Sequence, residues 1–407
     1  MSQRILVVGA GAVGGGIATA LASRPFFEHC VLADLDRSRA ERALRALEGD
    51  RRFSAAAIDA SDAAQIAQLA LTERVDVIVN ACDPRLNPPI FAAAFEAGCD
   101  YLDMAMTLSS PHPSRPHELP GVKLGDDQFA VSDEWEQRGR LAIVGIGVEP
   151  GMSDVFARYA SDHLFDEIDE IGVRDGANLE IEGFAFAPTF SIWTTIEECL
   201  NPPLIWERER GWYTTAPFSE PERFVFPEGI GEVECVNVEH EEVVLIPKWI
   251  GCNRVTFKYG LGDEFIEVLQ VLDKTGLASK EPISVRGVEI APRDVVAAAL
   301  PDPATLGHRM TGKTCAGTWI TGTHEGKRRE VYLYHVSDNT ETMRRHGIQA
   351  VAWQTAINPA VALELLASGA WQGVGVLGPE AFDAVPFLDA LSARGELWHV
   401  DERTPSS

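Results

Sequence analysis

Ile5-Leu6-Val7-Val8-Gly9-Ala10-Gly11-Ala12-Val13-Gly14 is the stretch that decides the fold. A short apolar run enters a G-x-G-x-x-G turn, and an Ala-rich, helix-compatible segment follows at residues 13–22. The order strand, glycine turn, helix separates a dinucleotide fingerprint from a chance glycine cluster. In such a turn Gly9 makes the tight bend, Gly11 lets the backbone approach a pyrophosphate, and Gly14 lets the helix pack on its strand. Ala12 and Val13 then open a helix whose N–H groups face the phosphates. Asp34 closes the next apolar run, with Leu35 beside it. A carboxylate there accepts the ribose hydroxyls and repels a 2′-phosphate, which weighs NAD over NADP. Arg37 and Arg39 pull the other way, because an arginine after the second strand can hold that phosphate.

Outward from this motif, apolar runs at 30–33, 75–79 and 101–104 alternate with helical stretches at 37–47 and 89–97. That alternation predicts βαβ units and a doubly wound parallel sheet of the Rossmann type, covered on both faces. Ligands of such sheets sit at the carboxyl ends of the strands, which places Asp59 and Ala60 near an adenine and Asn80, Ala81 and Cys82 near a nicotinamide ribose. Asp59 and Asp83 equally suit helix caps. After residue 167 the character changes. Segments 181–186, 233–238, 254–259, 318–323 and 330–336 predict an antiparallel, mostly β domain, a β-rich α+β unit inserted in the chain. A helical stretch returns at 349–366. The expected division is therefore 1–150 for dinucleotide binding, 151–346 for substrate, and 347–407 as a helical segment that packs back on the first domain.

Composition bounds the partners. Lys and Arg number 35 against 61 Asp and Glu, a formal net charge of −26, with 45% apolar residues. Enough apolar surface is present for a globular core, while the acidity argues against nucleic acid, whose affinity is built from cations on phosphates. Seven scattered cysteines without a C-x-x-C pair fit buried thiols in a reducing cytoplasm, and no apolar run approaches membrane-spanning length. The Pro-rich stretch 109–127 reads as a long surface loop or lid, its His112 and His117 lacking partners at metal-ligand spacing, so no metal is expected. Gly307-His-Arg-Met-Thr-Gly312-Lys313-Thr314 matches a phosphate loop literally. Pro301 and Pro303 precede it and β-forming residues follow it, so the strand and helix that such a loop requires are missing. Arg309 and Lys313 remain candidate binders of a substrate carboxylate, or ordinary surface cations.

The residues resemble the saccharopine dehydrogenase family. The landmarks are the 9–14 fingerprint, Val79-Asn80-Ala81 with Asp103 after the following strand, Gly147-Val-Glu-Pro-Gly151, Arg254-Val-Thr-Phe-Lys-Tyr-Gly260, and Gln349-Ala350 leading to Asn358-Pro-Ala360. The resemblance implies an NAD(P)-dependent oxidoreductase that moves a hydride between nicotinamide and a carbon bearing nitrogen, often as a homodimer, on a lysine-derived amino acid. Lysine 6-dehydrogenase and carboxynorspermidine or carboxyspermidine reductases are the near alternatives; a non-catalytic dinucleotide sensor is the alternative from another class. By residue type, the candidates for acid–base work are Asp103 at a sheet carboxyl end and His240 with Glu241 in the run Glu239-His-Glu-Glu242, which could instead be a solvated hairpin turn. Trp193 could wall the amine pocket or pack the core. The acidic pair Glu197 and Glu198 either binds an ammonium or faces water.

Overall fold

The computed structural model describes residues 2–404. β1 (Gln3–Val8), β2 (Phe27–Asp34), β3 (Phe53–Ala57), β4 (Val77–Asn80), β5 (Asp100–Asp103) and β6 (Leu141–Ile143) form one sheet with a late strand, Gly375–Leu377, in the order late strand, β6, β5, β4, β1, β2, β3. Every neighbouring pair in it is parallel. Both faces are covered, which is why Ile5, Leu6, Val7 and Val8 are all buried rather than alternating in and out. The strand order reverses between β1 and β4, and a cleft opens at that switch point. The helix Ala350–Ser368 packs on the helix Ala12–Ala22 so closely that a Cβ on Gly16 would stand 2.7 Å from the Ala356 Cβ. The C-terminal segment thus supplies both a helix and a strand to the first sheet.

The second sheet has nine strands and is mixed. Lys313–His324 runs antiparallel to both Glu167–Ala177 and Lys327–Asp338, but Arg254–Gly260 lies parallel to Glu167–Ala177. The purely antiparallel expectation is corrected here. Between those two strands the chain passes through the helices Ile192–Leu200 and Glu242–Trp249, a connection long enough to return a strand in the same direction. The strand expected over 181–186 is also cut short, to Glu180–Ile181, because Gly183 turns the chain at φ 87°. The literal phosphate-loop match leads straight into the strand Lys313–His324, so no helix terminus stands behind it.

Residues 109–127 form an irregular surface segment whose ends are tied by the bridge between Ser110 and Val122, where a Cβ on Gly121 would lie 2.0 Å from the Ser110 carbonyl oxygen. All seven cysteines are free and six are buried. Among the described residues no helix is long and apolar enough to cross a membrane.

Of the three consecutive glycines of the first helix, Gly14 and Gly15 have opposite environments. A Cβ on Gly14 would meet the Gly9 carbonyl oxygen at 1.9 Å, whereas one on Gly15 would meet only the Ala43 methyl at 3.3 Å. Gly14→Ala should therefore lower stability by about 1–3 kcal/mol through forced backbone shifts. Gly15→Ala should be neutral or stabilising by up to about 1 kcal/mol from helix propensity. Denaturant unfolding of the two variants reads the contrast, and equal effects would refute it.

Candidate active site

The glycine loop is held from below by its own backbone and from the side by Asp34. Gly9 adopts φ 105° and donates its N–H to the Ala33 carbonyl at 2.8 Å. Asp34 accepts the Ala10 N–H at 2.9 Å on Oδ2 and the Asp36 N–H at 3.1 Å on Oδ1. Above the loop the space is open: a Cβ on Gly11 would meet only the Arg39 guanidinium, at 3.8 Å. Asn80 at the end of β4 is a structural keystone, accepting the Cys82 N–H at 3.0 Å and donating to Asn87 at 2.6 Å and to the Tyr101 hydroxyl at 3.1 Å. These features give a phosphate cradle bordered by a carboxylate and a guanidinium, which fits a nicotinamide dinucleotide.

The cleft beyond them has a volume of about 450 Å³. Gly9, Gly11, Val13, Asp34, Asn80, Ala81 and Cys82 line it. Gly14 and Ala12 sit in the helix behind the loop, and Leu35, Asp59 and Ala60 do not reach it. Asp59 instead binds its own turn, accepting from the Ser61 N–H at 2.9 Å and hydroxyl at 2.6 Å.

The far end of the cleft is acidic. Glu149 arrives on the Gly147–Gly151 loop, whose closeness is visible at Gly151, where a Cβ would stand 2.2 Å from the Gly147 carbonyl oxygen. Glu198 comes from the helix Ile192–Leu200, Asp175 and Tyr259 from two adjacent strands of the mixed sheet, and His240 and Glu241 from the turn before the helix Glu242–Trp249. That turn is buried, not the solvated hairpin that its charges suggest. The His240 ring stacks on Phe257 with centroids 3.8 Å apart. Its Nδ1 meets Glu242 at 2.5 Å and Glu241 at 3.3 Å, which leaves Nε2 for the cleft. Burial opposes a charged imidazole, but the Glu242, Glu241 and Glu198 carboxylates outweigh it and push the His240 pKa up to about 10. Burial raises the carboxyls in turn, Asp175 to about 6 and Glu198 to about 8, with Glu149 well above its usual range.

The side chains of His240, Glu241 and Glu242 lie close enough to surround a cation. Their atoms are already paired, however, since Glu242 also accepts the Ser153 hydroxyl at 2.8 Å and Glu241 the Met106 N–H at 3.1 Å.

Five candidates lie elsewhere. Asp103 is beneath the cleft, accepting from Gln128 at 2.7 Å and from the Gly145 N–H at 2.7 Å, and burial lifts it to about 7. It positions the loops after β5 and β6 and touches no ligand space. Trp193 faces away, sandwiched between Arg85 at 4.0 Å and Arg293 at 4.9 Å, while Ser191, Thr194 and Glu198 form the cleft face of the same helix. Glu197 shares Trp193's side, pairing with Arg293 and with Lys280 at 2.6 Å. Lys313 pairs with Glu228 at 3.2 Å on the outer surface, and Arg309 covers the Phe184 ring at 5.8 Å; neither lines the cleft. Residue typing passed over Asp175, which no predicted segment contained, and Tyr259, whose sequence signal is its place in the Arg254–Gly260 landmark.

The saccharopine dehydrogenase NADP binding domain model matches residues 5–143, and the saccharopine dehydrogenase C-terminal domain model matches residues 147–396. The chain belongs to the saccharopine dehydrogenase family. It is 31% identical to carboxynorspermidine synthase of Vibrio alginolyticus over 98% of this chain and 97% of that protein. It is 29% identical to carboxyaminopropylagmatine dehydrogenase of a Synechocystis species over 97% of each. Saccharopine dehydrogenase (L-Glu forming) of Saccharomyces cerevisiae superposes with a TM-score of 0.71 at 13% identity, over 99% of this chain and 100% of that one, and so shares the fold. The chain is accordingly an NAD(P)-dependent oxidoreductase acting on a carbon–nitrogen bond.

Because its pKa is raised, the His240 ion pair stabilises the fold fully below pH 6.5 and loses that contribution as pH rises through about 10. Glu242→Gln should cost about 3–5 kcal/mol at pH 7 by stranding a buried charge. In that variant the imidazole should titrate well below about 10, followed by NMR of the ring. An unchanged titration would show that Glu242 does not hold the proton.

Proposed function

We propose that the enzyme acts on the C–N bond of a carboxylated polyamine, with an amine as one of its substrates. The observation that carries this is the charge of the cleft. Glu149, Asp175, Glu198 and Glu241 line its far end, and Arg39, at the opposite, ribose end, is the one lysine or arginine among the described residues that line it. A substrate dominated by carboxylates, such as saccharopine, would meet repulsion there, whereas one with several ammonium groups finds partners. The names of the relatives agree with that reading. Lysine, with two ammonium groups against one carboxylate, is the second reading that the same charge supports.

The bound nicotinamide supplies or accepts the hydride. For the chain's own part, we assign the proton at the substrate nitrogen to His240, whose Nε2 faces the cleft and whose charge Glu242 maintains. Glu198 and Glu241 hold the neighbouring ammonium, and an ammonium bound there draws their protons off into solvent. Asp103 and Asn80 keep the loops in place. Seven free thiols support the reducing cytoplasm as the compartment.

On the cofactor, both oxygens of Asp34 are engaged by backbone N–H groups, while the Arg39 guanidinium lines the cleft without a hydrogen bond or ion pair among the described residues. That favours a 2′-phosphate on Arg39. Arg39→Ala should raise KM for NADPH at least tenfold and leave KM for NADH within twofold; equal changes would remove the assignment. Asp34→Ala should weaken NADH more than NADPH.

A substrate panel read at the nicotinamide absorbance tests the reaction. Carboxylated polyamines should be oxidised faster than saccharopine or lysine, and short diamines plus a carboxylated aldehyde should support the reverse. Saccharopine as the best substrate would overturn the proposal.

A further inference from the structure

The cleft does not end at its acidic wall. A second cavity of about 560 Å³ adjoins it, and Val148, Glu149, Asp175, Phe190, Tyr259 and Val351 line both. The wall between them is therefore shared by the two spaces, with one face toward the cofactor side and one toward this outer chamber.

The chamber's lining is of two kinds. Its apolar part is aromatic: Phe186 and Phe265 pack with ring centroids 5.0 Å apart, and Phe190 and Tyr259 lie nearer the shared wall. Its polar part is acidic, with Glu180, Asp263 and Glu264 in addition to the shared pair, and no lysine or arginine is among its lining residues. Arg309 comes closest in kind, but it stacks on Phe184 at 5.8 Å and so uses that ring itself. Phe186, Phe190 and Phe265 carry no such cation among the described residues. On the shared wall, Glu149 presents a buried Oε1 with no hydrogen-bond partner. A buried acceptor left open costs free energy unless a donor reaches it. Aromatic faces beside carboxylates are the surroundings that desolvated ammonium and guanidinium groups prefer, because ring quadrupole and carboxylate attract the same charge.

We propose that this chamber is a subsite for a second, distal cationic group of an extended amine, an ammonium or guanidinium reached by an aliphatic spacer that runs past Glu149. The inference rests on the amine reading of the cleft and adds to it a length requirement: the site takes amines that reach both sides of the wall. The spacer packs on Phe190 and Tyr259, Glu149 accepts a hydrogen bond from the amine as it passes, and the distal charge lies against Phe186 and Phe265. The outer carboxylates stand at the mouth of the chamber and draw cations toward it over the short range that salt permits.

The test is calorimetric titration of the full-length protein saturated with NADP+, using spermidine as the long probe and 1,3-diaminopropane as the short one. Wild type should bind spermidine at least tenfold more tightly. In Phe186→Leu/Phe265→Leu that advantage should fall to within twofold, with the 1,3-diaminopropane and NADPH affinities unchanged; both rings are partly exposed, and Phe265→Leu alone serves as a milder variant expected to fall between. Equal affinities in wild type, or an advantage that survives in a double variant still binding NADPH, would overturn the proposal. Binding of neither amine would refute the amine reading and this inference with it. Binding of 1,3-diaminopropane without a preference for spermidine would refute this inference alone.

Discussion

Burying carboxylates without an equal number of cations is the constraint around which this molecule is arranged. Around one imidazole the fold gathers Glu149, Asp175, Glu198, Glu241 and Glu242, and ionising all of them in a low dielectric would cost far more than the protein's net stability. Two devices relieve that cost. His240 stays protonated beside Glu242, and several of the remaining carboxyls hold their protons to unusually high pH. The same arithmetic explains the supporting structure. Ser153 and the Met106 N–H each donate to a member of the cluster, tying together the loop after β5, the helix Met152–His163 and the helix Glu242–Trp249 at one point.

A cluster balanced by protons rather than by fixed cations can exchange one for the other. On the proposed amine reading, an entering substrate ammonium replaces a bound proton as the positive partner, and the cost of burying charge is recovered as selectivity for cations. Saccharopine dehydrogenases bear the same architecture, as the superposition on the yeast protein shows, and the fold itself does not choose between carboxylate-rich and amine-rich ligands. On the proposed reading, that choice lies in which side chains of residues 147–260 project into the cleft. The sheet of the first domain stays committed to the dinucleotide.

How much of this was legible beforehand differs by region. The fingerprint read correctly because glycine positions in a strand–turn–helix are dictated by local sterics, such as the 1.9 Å approach that a Cβ on Gly14 would make. Four of the five β-rich segments were legible as strands, but the strand Glu167–Ala177 and its parallel match with Arg254–Gly260 were not, since that pairing depends on where the intervening helices place the chain. The site was harder still. Asp103 carries the right chemical type at the right strand end yet spends both oxygens on Gln128 and Gly145, and Trp193 differs from its cleft-facing neighbour Thr194 by one step around a helix. For His240 and Glu241 the sequence leaves both an acid–base role and a solvated turn open, because nothing local shows that Phe257 and Glu242 enclose them.

The late strand Gly375–Leu377 gives the dinucleotide sheet its last member, beside β6. On the ribosome this means that the first domain is translated early but cannot finish its sheet until nearly the whole chain has emerged. Until then β6 stands as an open edge, able to pair with any extended segment nearby. Val351 and Thr355 of the helix Ala350–Ser368 line the cleft, so the cofactor site also lacks part of its wall until that helix has emerged.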